Sequence, residues 1–252
     1  MPLKPSIKEG DVFSKKEGGV VVVKKYIRYD KILVEHQDDV KYISCSTAQN
    51  IKSGSVSNPY LKNVCGVGYR GVGPYNSQNS KGARQTWTNM LKRVYDPREL
   101  KKAPTYIGCS VCEEWHNFQN FAEWYHKQPN AEKKGFDLDK DLMVWGNKVY
   151  GPDACSFVPH LINSLLTNNG KSKGECPKGV KKNNGSFIAE MSTENGSIRS
   201  KTVPTVEEAC RLYKKMKEDR VREVAERNKD LIHPTVYQNL MDWKLEEYIE
   251  GC

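Results

Sequence analysis

Between Phe136 and Leu166 the chain reads FDLDKDLMVWGNKVYGPDACSFVPHLINSLL, a stretch dense in residue types that can do chemistry. Asp139 and Asp141 sit at the end of a short, apolar-flanked strand. A Gly146-Asn147 turn follows, then a second short strand through Val149 and Tyr150, then a helix carrying Asn163. His160, three residues before Asn163, falls on nearly the same helix face. Carboxylate and amide oxygens meeting at one end of such a hairpin suit a hard divalent cation and leave coordination positions for water and phosphate. Phosphodiester hydrolysis needs a nucleophilic water, charge neutralisation at phosphorus and a stabilised leaving oxygen. A divalent ion bridging the scissile phosphate and the leaving group serves the last two needs. The expected activity is a nuclease that depends on a hard divalent cation.

Three regions of sequence must position this segment, in an α+β chain. Residues 1 to 65 read as β-rich: Val20-Val21-Val22-Val23 and Ile32-Leu33-Val34 are β-branched runs separated by the polar turn from Arg28 to Lys31, and Lys52-Ser53-Gly54-Ser55 closes the region. The spacing fits a small barrel, SH3-like. Residues 66 to 75, with four glycines and a proline, read as a linker. A helix is expected from Gln85 to Tyr95, stopped by Asp96-Pro97, and a second from Glu113 to Lys127, before Pro129. Trp115, Phe118, Phe121 and Tyr125 recur at helical spacing and read as a core-facing stripe. Asn168 to Gly174 is a further linker. Beyond it come turn-separated strands, then a helix for which Thr205 and Glu208 form a capping box. From Lys214 to Lys229 acids and bases alternate, as on a solvent-exposed helix. Trp243, Leu245 and Tyr248 would dock the tail, 221 to 252, onto a domain or a partner.

Several of these segments resemble known families. The ββα segment resembles the metal finger of HNH-type endonucleases, specifically the phage homing-endonuclease branch. Its lead-in is similar too: Thr86 to Tyr95 resembles that branch's tryptophan-methionine-arginine-tyrosine helix, and Tyr106 to Trp115 its valine-cysteine-acidic-acidic-tryptophan element. The likeness covers residues 76 to 170. Residues 176 to 220 resemble the small DNA-binding domain of Apetala2/ethylene-response factors, in which the sheet enters the major groove. These resemblances imply a homing-type, nicking DNA endonuclease acting in a phage-infected bacterial cell, with Asp139 and Asn163, 24 residues apart, as metal ligands. Asp141, 22 residues from Asn163, is the alternative ligand. They also imply DNA contacts from Lys181, Lys182, Arg199 and Lys201.

One position departs from the pattern. Where HNH enzymes carry a His general base beside the first ligand, this chain has Lys140. An ordinary lysine is protonated at neutral pH and cannot accept a proton. Metal and burial could depress it, or it could hold phosphate. Otherwise Asp141 could polarise the water, or His160 could act from the other side. The alternative is a degenerate nuclease that only binds DNA, and a third reading is a protein-interaction module.

The charge agrees with a polyanionic partner: formal net charge is +9 and the sequence pI near 9.0. Residues 70 to 102 hold eight Lys/Arg against two acids, interleaved with Trp87 and Tyr95. Arg84, Lys92 and Arg93 are the candidates there for double-stranded DNA. Mean hydropathy is −0.72 and no run of about eighteen apolar residues occurs, so no membrane partner is expected. Eight cysteines without a secretory signal read as reduced thiols of a cytoplasmic protein. Cys109 and Cys112 form a lone CxxC to which Cys155 and either His116 or Cys176 could add for structural Zn2+; buried thiols are the favoured reading. Oligomeric state and target site are not legible.

Overall fold

A computed structural model describes residues 7–166 and 176–245. The chain is α+β with antiparallel sheets, and it divides into two compact units, Met1–Lys127 and Gln128–Cys252. Asn168 to Gly174 and Tyr248 lie outside the described residues.

In the first unit four strands form a meander in the order β1 (Val12–Ser14), β2 (Val20–Arg28), β3 (Lys31–His36) and β4 (Tyr42–Ser46). Each pairs with the next, and β1 and β4 remain edges, so the sheet is open where a barrel was expected. The physical reason is visible in its core. Val21 and Val23 alternate inward on β2, Ile32 and Val34 on β3, and the short helix α1 (Ala48–Lys52) caps them with the fully buried Ile51. A helix thus covers the apolar face that barrel closure would have covered.

The rest of this unit is helical. α2 runs Lys81–Tyr95, four residues longer at its start than expected. Asp96 ends it and, with Pro97 at the first helical position, starts α3 (Pro97–Lys102), accepting the Arg98 backbone N–H at 2.8 Å. The expected second helix is split. A 3-10 turn covers Glu113–His116, and α4 spans Phe118–Lys127. Trp115, Phe118, Phe121 and Tyr125 are all buried, as the periodicity predicts; Trp87, read among the basic residues of α2, is buried with them, and its indole donates to the Trp115 carbonyl at 2.6 Å. The glycine-rich stretch does not behave as a spacer. Gly68 lies against Trp87 and Leu91, and Tyr69 bridges to Asn117. A two-residue strand, β5 (Ser110–Val111), completes the unit.

The second unit holds the ββα segment and a three-stranded sheet. β6 (Phe136–Asp139) pairs antiparallel with β8 (Ser156–Pro159), which runs into α5 (His160–Leu166). The expected partner, β7 (Val149–Tyr150), does not pair with β6. The apolar face of this hairpin and helix is completed from downstream: Leu142, Val158 and Ile162 share a core with Val221, Val224 and Ala225 of α6 (Val206–Arg227) and with Val236 and Leu240 of α7 (Pro234–Asp242). The boundary between units therefore falls inside the stretch 76 to 170. The sheet has the order β11-β10-β9, with β9 at Val180–Asn183, β10 at Ser186–Thr193 and β11 at Gly196–Arg199. α6 packs on β10 and β9, and the Thr205 hydroxyl accepts the Glu208 N–H at 3.2 Å, half of the expected capping box.

α6 is not the solvated rod its alternating charges suggest. Glu218 and Arg220 are buried: Glu218 accepts the Leu245 N–H at 3.2 Å, and Arg220 is held by Glu194 and Glu223. Leu245 itself docks against Ala189, Met191 and Tyr213, with Trp243 beside it.

Candidate functional site

Strand alternation decides which groups of β6 face the helix. In the β6–β8 ladder Asp137 stands opposite Val158 and Asp139 opposite Ser156, so these four side chains share one face. Val158 belongs to the core that also holds Ile162 of α5, which identifies this face as the one covered by that helix. His160 and Asn163, one turn apart on α5, both reach Asp137: the imidazole Nδ1 lies 2.6 Å from Asp137 Oδ2, and the Asn163 Nδ2 lies 3.5 Å from the same oxygen. The hairpin and helix thus converge on Asp137, which the sequence reading passed over for Asp139 and Asp141. Its signal was available: a residue two before Asp139 on a strand shares its face.

Asp139 has a different environment. Its Oδ1 accepts the backbone N–H groups of Asp141 and Leu142 at 2.8 Å each, which turns the chain out of β6. Burial nonetheless holds its carboxyl above the usual carboxylate range, outweighing those two bonds. Across the ladder the Ser156 hydroxyl is buried and has no hydrogen-bond partner, an unsatisfied oxygen on the same face.

Lys140 and Asp141 leave this group. Lys140 is 7 % exposed, its ammonium 2.5 Å from Asp141 Oδ1 and 2.9 Å from the Asn147 carbonyl, with the Tyr150 ring centroid at 6.0 Å. Asn147 answers by donating to the carbonyls of Lys140 at 2.9 Å and Val149 at 2.7 Å. Lys140, Asp141 and the Gly146-Asn147 turn therefore tie the loop between β6 and β8 together. This corrects the expectation of a tight two-strand hairpin at Gly146-Asn147 and places the Lys140 ammonium inside the loop.

The resemblance implies Mg2+ or Mn2+. Hard oxygen donors suited to such an ion are present: Asp139 and the orphaned Ser156 hydroxyl share one face of the ladder, and Asn163 of α5 reaches the neighbouring Asp137 on that face. Among the described residues no three His, Cys, Asp or Glu side chains gather as a ligand set. For Zn2+ the sequence offered Cys109, Cys112 and Cys155. The first two are half-buried in the first unit, where burial pushes the Cys112 thiol up, away from the thiolate that binds metal. Cys155 is buried in the second unit.

The basic candidates separate in the same way. On the three-stranded sheet Lys181 and Arg199 point to the outer face and share Glu190, at 2.9 and 3.0 Å. Lys182 is Cα partner of Phe187, which packs toward α6, so period two sends it to the opposite face from Lys181. Lys201 is exposed beyond the end of β11. On α2, Lys92 is exposed, Arg93 stacks over Tyr106 at 5.5 Å, and Arg84 lies over the rings of Trp87 and Phe118. Among the described residues no helix is long and apolar enough to cross a membrane. Comparison with protein-family models, with curated proteins and with solved structures finds no match.

Proposed function

We propose that this protein is a metal-dependent DNA endonuclease of the HNH type, with its reaction centre on the β6–β8 hairpin and α5. The observation that carries the reading is the convergence of Asp137, His160 and Asn163, an acid, an imidazole and an amide brought together from a strand and a helix. Asp137 acts as the orienting group. By accepting from Asn163 Nδ2 it turns the amide oxygen outward, where it and Asp139 can hold a cation. By engaging His160 Nδ1 it presents Nε2 to solvent on a side chain that is 75 % exposed. His160 then takes the proton of the attacking water at Nε2, the task that the resemblance assigns to the position of Lys140. A bound Mg2+ supplies charge stabilisation at phosphorus and at the leaving oxygen. The three-stranded sheet, with Lys181 and Arg199 on its outer face, supports a second contact to duplex DNA.

Relaxation of supercoiled plasmid, and of DNA from the source genome, in Mg2+, Mn2+ and EDTA tests the reading. Metal-dependent nicking is expected, abolished in Asp139→Ala and Asn163→Ala and reduced about 100-fold or more in His160→Asn. Undiminished cleavage by Asp139→Ala and Asn163→Ala would remove the assignment. The second reading is a degenerate nuclease that binds DNA without cutting, and the engaged Lys140 at the base position favours it. Intact DNA in both metals, with a gel shift still present, is its signature.

A further inference from the structure

No Asp or Glu occurs between Asp39 and Asp96, whereas the whole chain has 31 in 252 residues. The same 56 positions hold eight Lys/Arg, namely Lys41, Lys52, Lys62, Arg70, Lys81, Arg84, Lys92 and Arg93. Two of these are built into the first unit in an unusual way. The Arg84 guanidinium sits over the Trp87 ring at 5.5 Å and the Phe118 ring at 5.2 Å. Arg70 follows Tyr69, whose backbone is tied to His116 and Phe118 by two bonds of 2.9 Å, and its carbonyl accepts Gln119 Nε2 at 3.1 Å. Its guanidinium donates to Ser57 Oγ at 3.0 Å. Both arginines therefore border the Phe118 segment. Burial and then the nearby Arg70 charge hold Arg84 below the usual arginine range. Among the described residues neither guanidinium has a carboxylate at ion-pair distance.

The local field is positive for a second reason. α2 has no acid in its first turn, and the Ser80 hydroxyl bonds Asn79 and His126 instead of capping the helix. The partial positive charge of that helix end is thus joined by Lys81 and Arg84 and by no acid of the helix's own first turn. Elsewhere the strongly held arginines are compensated, Arg199 by Glu190 and Arg220 by Glu194 and Glu223.

We propose that Arg70 and Arg84 form a prebuilt clamp for one backbone phosphate of a polynucleotide. The two rings hold the Arg84 fork in a fixed plane, and the phosphate supplies the counter-charge that the fold omits. A polynucleotide, rather than a free anion, accounts for the remaining exposed donors of α2: Lys81, Gln85, Asn89 and Lys92 offer contacts beyond a single phosphate. That the polyanion is DNA rests on the proposed nuclease reading, whereas the clamp does not.

The test is fluorescence-anisotropy titration of a labelled duplex with the full chain in EDTA, across a KCl series. Arg84→Met keeps an apolar stem on the two rings, and Arg70→Gln alters an exposed side chain, so at least one variant remains folded. Each single variant is expected to lower the slope of log affinity against log salt by about 0.9, one phosphate, and the double variant by no more than either alone. Unchanged slopes in Arg70→Gln and in folded Arg84→Met would overturn the clamp. A melting temperature raised by inorganic phosphate in the wild type but not in the variants, with DNA slopes unchanged, would make this a free-anion site and overturn the polynucleotide assignment. DNA binding with the expected slopes but no cleavage in Mg2+ would sink the nuclease reading alone, and cleavage with unchanged slopes would sink the clamp alone.

Discussion

The Lys140 ammonium has three N–H donors, and the loop around it offers a partner for each: Asp141, the Asn147 carbonyl and the face of Tyr150. Lys140→Met keeps the stem and deletes the head, leaving the Asn147 carbonyl without its donor. A loss of about 1–3 kcal/mol is expected, read as a lower urea midpoint. An unchanged midpoint would mean the ammonium does not hold the loop. At this scale the sequence was partly legible. Asn163 and His160 stand together on one helix face, as spacing alone implies. Which carboxylate meets them was not legible, because Asp137, Asp139 and Asp141 are chemically alike and are separated only by which way the chain turns after β6. Asp139 is drawn into that turn by two backbone N–H groups, and Asp141 is claimed by Lys140.

Among elements, the glycine-rich stretch before α2 behaves least as its composition suggests. Flexible composition marks a spacer when glycines face water. Here Gly68 is buried because the α2 side chains come too close for any Cβ. An added methyl would lie 2.9 Å from the Trp87 ring and closer still to Leu91. Gly68→Ala is therefore expected to destabilise the protein by about 1–3 kcal/mol through overpacking, measured as a fall in thermal or urea midpoint. No loss would return residues 66 to 75 to the role of a linker. Helix limits show the complementary case. Asp96-Pro97 stops α2 where the sequence says it must, because Pro97 cannot extend that helix and the Asp96 side chain caps the next. The strand partner of β6 was misassigned for a physical reason as well. Val149–Tyr150 and Ser156–Val158 are both short apolar runs, and only the second continues directly into α5 and the core under it.

For the molecule as a whole, the first unit contains a group that couples stability to pH. His36 is fully buried on β3, with Nε2 2.9 Å from Ser44 Oγ and Nδ1 3.8 Å from Asp38, which Lys15 also engages. Burial, then the Lys15 charge, push its pKa below the ordinary 6.5. The unfolded chain therefore takes up this proton first. Stability is fully present above pH 6.5 and declines as the pH falls from there through the lower folded value. Melting temperature across this window should fall in the wild type and fall less steeply in His36→Gln. An equal slope in the variant would assign the dependence to other groups.

The sequence by itself determined the local grammar of this protein: the β-branched runs of β2 and β3, the stop of α2 at Asp96-Pro97, the Thr205 cap of α6, the apolar stripe of α4 and the excess of positive charge. Each depends on neighbours within about four residues, where propensity and periodicity act directly. Tertiary structure decided the open sheet over a barrel, the pairing of β6 with β8, the burial of Glu218 and Arg220, and the selection of Asp137 to meet His160 and Asn163. These depend on which apolar faces are left to be covered once the local elements exist. That competition between distant segments for a common core is carried by packing, which no short window of sequence contains.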